Sequence, residues 1–212
     1  MLIKLILSYL LGSVSGSILV GKLKGIDIRE KGSGNAGGTN AFRIMGAKFA
    51  LLVLFIDIAK GFLAVKFIPL LNINKLLLSN INIDILPILC GCFAVLGHVY
   101  PIYHNFKGGK GAGTMVGVLL ALFPMGLLIC FLSWLFVLFI TGYVGLSTII
   151  AGIILPVVTG FYYKDSIFSI FGYFTIFIAL FIIFTHRSNI IRMINGEENR
   201  FKRIMFFNKK TN

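Results

Sequence analysis

Apolar residues run in long blocks along this chain, and the polar residues collect between them. Blocks at residues 2–21, 48–71 and 84–103 are each close to the roughly 20 residues that a bilayer-crossing helix needs. Residues 111–163 contain no Asp, Glu, Lys or Arg, and a last apolar block covers 166–185. As one straight helix, 111–163 would run roughly 80 Å, far beyond any bilayer. Three short spans fit there, with breaks expected near 131–134 and 141–145.

The charges orient these blocks. Residues 22–48 carry Lys22, Lys24, Arg29, Lys31, Arg43 and Lys48, and the loop near Phe106 carries Lys107 and Lys110. The tail after Thr185 adds Arg187, Arg192, Arg200, Lys202, Arg203, Lys209 and Lys210. Residues 71–84 offer only Lys75, and 163–166 only Lys164. The positive-inside rule places the three basic segments in the cytoplasm and the two poor ones outside. Lys110 and the tail then share a side, which requires an odd number of spans in 111–163. The expectation is an all-α integral membrane protein of about seven transmembrane helices in a single domain, 1–212. Its N-terminus lies outside and its C-terminus is cytoplasmic. Small residues at 12–17 leave open a cleaved signal peptide, which would reduce the spans to six.

Composition agrees with a bilayer. The apolar share is 58% and the charged share 13%, against about half and about a quarter in soluble domains. Mean hydropathy is +0.95. A net charge of +13 would suggest nucleic acid in a soluble protein. Here the cations lie between apolar runs and no soluble reading domain is present, so no nucleic-acid partner is expected. Cys90, Cys92 and Cys130 lie in apolar stretches, and their odd number argues against a disulfide framework. They read as small buried hydrophobes rather than metal or redox ligands.

Three polar clusters remain. The first runs from Lys31 through Gly32, Ser33, Gly34, Asn35, Ala36, Gly37, Gly38 and Thr39 to Asn40, with Arg43 beyond. Gly-rich backbone can turn successive N–H groups inward as an anion cradle. Thr39 or Asn40 is the expected N-cap of the helix leading to Arg43. Gly32, Gly34 and Gly37 fit a dinucleotide fingerprint, but no strand precedes them, so that reading is rejected. A plain flexible loop is the alternative.

The second cluster is Gly97-His98-Val99-Tyr100-Pro101, then Asn105-Phe106-Lys107-Gly108-Gly109-Lys110-Gly111. Two lysines among glycines suit a phosphate. Gly111 follows Lys110 where a Walker A loop needs Ser or Thr, which excludes that motif. Interfacial capping by His98 and topology-setting by the lysines are the alternatives. The third cluster is His186-Arg187-Ser188-Asn189, Arg192 and Gly196-Glu197. A continued helix would bring His186, Asn189 and Arg192 broadly onto one face. Here the alternative is a basic tail on anionic headgroups. Asp57 and Lys60 lie inside the second span at i, i+3, where lone charges are costly. A structural ion pair is preferred for them over catalysis.

Together the clusters resemble the bacterial glycerol-3-phosphate acyltransferase family, PlsY. The carriers are Gly32-Ser33-Gly34-Asn35…Thr39-Asn40, Gly97-His98…Pro101…Phe106-Lys107-Gly108-Gly109-Lys110-Gly111 and His186-Arg187…Asn189…Arg192…Gly196…Glu197. Ala36 and Gly38 stand where the family often shows Pro and Ala, and Gly113 stands where it shows Ala. The resemblance implies transfer of a fatty acyl group from acyl-phosphate to the 1-hydroxyl of sn-glycerol 3-phosphate, giving lysophosphatidic acid and phosphate. It implies a soluble enzyme upstream that makes acyl-phosphate, contact with membrane lipids, and no cofactor. His98, His104 and His186 are not followed by Asp at i+5, so the His-x4-Asp arrangement of the common glycerolipid acyltransferases is absent.

The expected roles follow. Arg43, Lys107 and Lys110 carry phosphate charge, and Ser33 with the backbone of 32–38 holds the acyl-phosphate. By the resemblance, Ser147, His186 and Asn189 bind glycerol 3-phosphate. Gly32, Gly34, Asn35, Thr39, Asn40, Gly108 and Gly109 complete the substrate-binding set. His98 is the expected general base. Ser33 as a covalent nucleophile lacks an assignable partner base, so direct transfer is preferred. No metal is called for, because the loops lack a convergent ligand set. The rival class is an anion transporter, disfavoured because the clusters gather at one face rather than at the midplane.

Overall fold

A computed structural model describes residues 1–72, 85–162 and 168–206. Among these, all regular secondary structure is helical. Lys75, Lys164, Lys209, Lys210 and most of the two cation-poor loops lie outside the described residues. The chain divides into two compact units, Met1–Phe123 and Pro124–Asn212.

In the first unit the expected span 2–21 is bent. Helix α1 (Leu2–Ser13) and helix α2 (Gly16–Lys22) meet at 44°. Ser15 causes the break, because its hydroxyl accepts the Ile18 N–H as an N-cap and restarts the helix. Helix α3 (Gly38–Met45) follows the Gly-rich loop and ends at Gly46, whose φ of +83° turns the chain into α4 (Ala47–Lys66). Helices α5 (Leu86–Val99) and α6 (Ala112–Leu122) complete the unit.

Glycines set the packing here. A Cβ on Gly12 of α1 would run into the Ala94 carbonyl of α5, and one on Gly97 into the Tyr9 carbonyl. Gly61 of α4 and Gly117 of α6 meet carbonyls of Thr114 and Ile58 in the same way. Backbones brought this close gain the dispersion contacts that hold helices together where lipid removes the hydrophobic driving force.

The second unit contains α7 (Pro124–Thr141), α8 (Val144–Tyr162), α9 (Ile170–Thr185) and α10 (Arg187–Ile194). Gly142, at φ +72°, makes the tight turn between α7 and α8. Trp134 Nε1 donates to Thr148 Oγ1 at 3.1 Å across that pair. The tail folds back on this turn: Phe201 N–H donates to the Gly142 carbonyl at 2.9 Å, and Arg200 lies 4.9 Å over the Tyr143 ring.

Residues 111–163 do form three helices, but the first break is not at 131–134. It falls at Phe123–Pro124, because Pro124 has no N–H to continue α6 and disfavours a helical Phe123. Phe131 and Trp134 instead sit within α7, their rings stacked at 6.2 Å. The break at 141–145 is where expected.

By length and composition, three helices among the described residues can cross a membrane: α5 with its extension to His104, α7 and α8. Counting each bent pair as one span, α1 with α2 and α9 with α10, gives up to five. Helix α4 is as long, but Lys48, Asp57, Lys60 and Lys66 interrupt its apolar sequence. Met125, Leu128, Phe131, Leu132 and Phe136 are all exposed on α7, a surface that water would not tolerate and lipid would.

Candidate active site

The Gly-rich loop is wound around a single side chain. Asn40 is buried, its Oδ1 accepts the Ser33 N–H at 3.0 Å, and its Nδ2 donates to the carbonyls of Ile28 and Lys31, both at 3.0 Å. Gly32 sits at φ +61°, and a Cβ there would strike Asn40 Oδ1. The expected cap is thereby corrected. Thr39 and Asn40 both lie inside α3, whose N-cap is Gly37 with no side-chain bond. Asn40 serves the loop's shape instead. Asn35 is half-buried with its Nδ2 against Gly37, while Ser33, Thr39 and Arg43 are half-buried and Gly34 is exposed at φ +70°.

Ahead of this loop, Asp27 accepts from Arg29 through Nη2 at 2.6 Å and Nε at 3.0 Å. That guanidinium bond holds the Asp27 carboxyl at about 2. Arg29 Nη1 in turn donates to the His104 carbonyl at 3.3 Å, tying the first cluster to the second.

The second loop is pressed onto His98 at the end of α5. The Gly109 N–H donates to the His98 carbonyl at 3.1 Å. A Cβ on Gly109 would collide with His98 Nε2 and sit 2.8 Å from the Ala36 carbonyl of the Gly-rich loop. A Cβ on Gly108 would meet the His98 carbonyl and Pro101. Only two consecutive glycines let the backbone lie here. Lys107 is exposed and Lys110 half-buried at either end of the pair.

Beneath His98 lies a buried charge cluster. Lys60 Nζ stands 2.9 Å from Asp57 Oδ1, 2.7 Å from the Val14 carbonyl and 2.9 Å from His98 Nδ1. The Val14 carbonyl is available because the α1–α2 break removes its helical partner. Asp57 Oδ1 also accepts the Gly16 N–H at 3.4 Å and lies 3.5 Å from His98 Nδ1. The ion pair was legible at i, i+3; its three tertiary partners were not.

In the second unit, α9 does not continue straight through the third cluster but bends by 51° at His186 into α10. His186 Nδ1 meets the Ile182 carbonyl at 2.9 Å. Asn189 and Arg192 converge on Glu198: Asn189 Nδ2 donates to Oε1 at 2.9 Å and Arg192 Nε to Oε2 at 2.6 Å. Glu198 is buried, whereas Glu197, the acid expected from the motif, is exposed. Gly145 packs against Asn189, and buried Ser147 donates to the Tyr143 carbonyl at 2.8 Å.

The family described as glycerol-3-phosphate acyltransferase matches residues 2–196 of this chain. The chain belongs to that family. Among its relatives, the glycerol-3-phosphate acyltransferase of Bacillus subtilis (strain 168) is 43% identical over 199 residues, covering 93% of this chain and 96% of that one. The Fusobacterium nucleatum protein of the same description is 39% identical over 200 residues, at 93% and 96% coverage. The crystal structure of PlsY (YgiH), an integral membrane glycerol 3-phosphate acyltransferase, in its glycerol 3-phosphate form matches with a TM-score of 0.82. It shares 37% identity and covers 94% of both chains. Its lysophosphatidic acid form matches with a TM-score of 0.79. This chain is accordingly an integral membrane, multi-helix member of the acyltransferase family. Within it, the Gly-rich loop and the Gly108-Gly109 loop abut at Ala36 and Gly109, a contact that the motifs alone did not indicate. The sequence offered Asn40 as a helix cap and singled out Glu197, whereas Asn40 shapes the loop and the neighbouring Glu198 holds Asn189 and Arg192.

Proposed function

We propose that this chain transfers a fatty acyl group from acyl-phosphate to the 1-hydroxyl of sn-glycerol 3-phosphate, giving lysophosphatidic acid and phosphate. The observation that carries this is the juxtaposition of two glycine-built loops, the Ala36 carbonyl against Gly109, in a member of the glycerol-3-phosphate acyltransferase family. Ser33, with its N–H held by Asn40, and the backbone of 32–38 take the acyl-phosphate. Lys107, Lys110 and Arg43 supply phosphate charge.

In the reaction the glycerol hydroxyl oxygen attacks the acyl carbon. The bond from that carbon to the phosphate oxygen breaks, and phosphate leaves with the electron pair and takes up the hydroxyl proton. Cations near the phosphates stabilise charge that grows on the leaving group. Ser147, His186 and Asn189 are assigned to glycerol 3-phosphate. Support comes from their being buried polar groups, two of them at the α9–α10 bend.

The proposal treats 1–212 as one acyltransferase domain, consistent with a single family match across both units. It places seven spans in a bacterial plasma membrane, with the three clusters and the C-terminus cytoplasmic and the N-terminus outside. The charge distribution supports that orientation. The upstream partner is a soluble enzyme that makes acyl-phosphate.

The test is acyl transfer by purified protein with labelled glycerol 3-phosphate, using acyl-phosphate or acyl-CoA as donor. Lysophosphatidic acid from acyl-phosphate alone is the expected result. Product from acyl-CoA alone overturns the donor, and no product from folded protein with either donor overturns the function.

A further inference from the structure

We infer that Asp57, Lys60 and His98 form a buried positioning triad that fixes the Gly108-Gly109 backbone, and through it the lysines at either end. His98 is then a positioning residue rather than the general base that its motif suggests. The inference rests on the reading above only in taking Lys107 and Lys110 as phosphate ligands.

The hydrogen-bond count of Lys60 decides the role of His98. A lysine ammonium has three N–H donors and accepts nothing. All three are taken, by Asp57 Oδ1, the Val14 carbonyl and His98 Nδ1, at 2.7–2.9 Å. The closer partner of Nδ1 is the ammonium, at 2.9 Å against 3.5 Å to Asp57. Nδ1 therefore accepts, and the ring's proton is assigned to Nε2. A ring in that state has no lone pair on Nε2 to take a hydroxyl proton. Its Nε2 edge is also where a Cβ on Gly109 would collide, so the loop backbone covers it.

The same residue holds the loop. The His98 backbone carbonyl accepts the Gly109 N–H, its ring lies against Gly109, and the ring plane is set by Lys60, which is tied to Asp57 on α4 and to the α1–α2 break through Val14. Three separate elements thus converge on one imidazole. A shift in Lys60 moves the surface on which Gly108 and Gly109 rest. Their flanking lysines move with them, and misplacement of such groups by about 1 Å can cost about a hundredfold in rate.

The test uses full-length protein in detergent, with folding checked by thermal unfolding. In His98→Asn the side-chain oxygen can still accept from Lys60, but no ring remains for acid–base chemistry. The expected result is activity within about fivefold of wild type, while His98→Leu loses at least about thirtyfold, mainly through KM. The double variant Asp57→Asn/Lys60→Met removes the charges together and so avoids an unpaired buried ion. It is expected to fold and to bind inorganic phosphate about tenfold more weakly by titration calorimetry, with KM for a phosphorylated substrate raised similarly and kcat less affected. The binding arm reads the triad even if acyl-phosphate is not the donor, which would sink the functional reading alone. If His98→Asn is as dead as His98→Leu, with KM unchanged and kcat down about 100- to 10,000-fold as for a lost base, the inference is overturned. A folded double variant with wild-type phosphate affinity overturns it as well.

Discussion

Asn40 Oδ1 takes the Ser33 N–H at 3.0 Å, so the serine of the Gly-rich loop is held by a side chain seven positions further on. The same carboxamide closes on Ile28 and Lys31, and nothing shorter than a tertiary contact would shape this loop. Asn40→Ala leaves buried backbone groups without partners and is expected to cost about 3 kcal/mol. Thermal unfolding measures that, and acyl-phosphate KM should rise with it. Unchanged stability would show that the loop does not depend on Asn40.

Gly109→Ala places a methyl group against His98 Nε2 and the Ala36 carbonyl. Since neither neighbour is a flexible chain end, the loop must move. The expected stability loss is about 2 kcal/mol, typical of overpacking. The kcat/KM loss should be larger in proportion, about a hundredfold. Activity falling only in step with the folded fraction would refute a positional role for the glycine.

Glu198 and Glu197 are adjacent acids with opposite surroundings. Glu198→Ala strips Arg192 of its carboxylate and is expected to destabilise by about 3 kcal/mol. Glu197→Ala, at an exposed position, should stay within about 0.5 kcal/mol. Equal effects in chemical or thermal unfolding would show that the Glu198 contacts do not hold the segment.

The Asp27 carboxyl, held at about 2 against an ordinary 3.8, gives an acid-side signature. A carboxyl lowered by folding adds stability above its unfolded value, and that stability drains away as pH falls through the folded one. Asp27→Asn should therefore unfold at a slightly lower temperature than wild type at pH 6. The two should converge as pH drops from about 4 to about 2. A gap that persists at pH 2 would mean that the Arg29 pairing is not its source.

Sidedness is checked with single cysteines in a background lacking Cys90, Cys92 and Cys130. Lys24→Cys and Asn199→Cys should react with an impermeant thiol reagent only in inside-out vesicles, and Lys75→Cys only in intact cells. The opposite pattern for any of the three would invert the proposed orientation.

The helical blocks were legible because long charge-free runs have few other uses. The misplaced break shows the limit of hydropathy: Pro124 interrupts the backbone, while Phe131 and Trp134 only crowd one face of a continuous helix. Capping by Gly37 was invisible because it uses no side chain. The i, i+3 spacing exposed Asp57 with Lys60, but a carbonyl freed at Val14 leaves no trace in the sequence. Glu198 was missed for a related reason. Burial, not motif order, separates it from Glu197.

The break between α1 and α2 also bears on how the protein is made. Helix α4 emerges from the ribosome carrying an Asp and a Lys at its middle, each costing about 3 kcal/mol to place in a bilayer centre on its own. The Val14 carbonyl has been synthesised by then, but His98 lies 38 residues beyond Lys60 and is not yet available. On the proposed seven-span topology, Asp57 and Lys60 can pair within α4 and reach the Val14 carbonyl at once, while the His98 contact waits for α5, so this cluster is completed in two stages of synthesis.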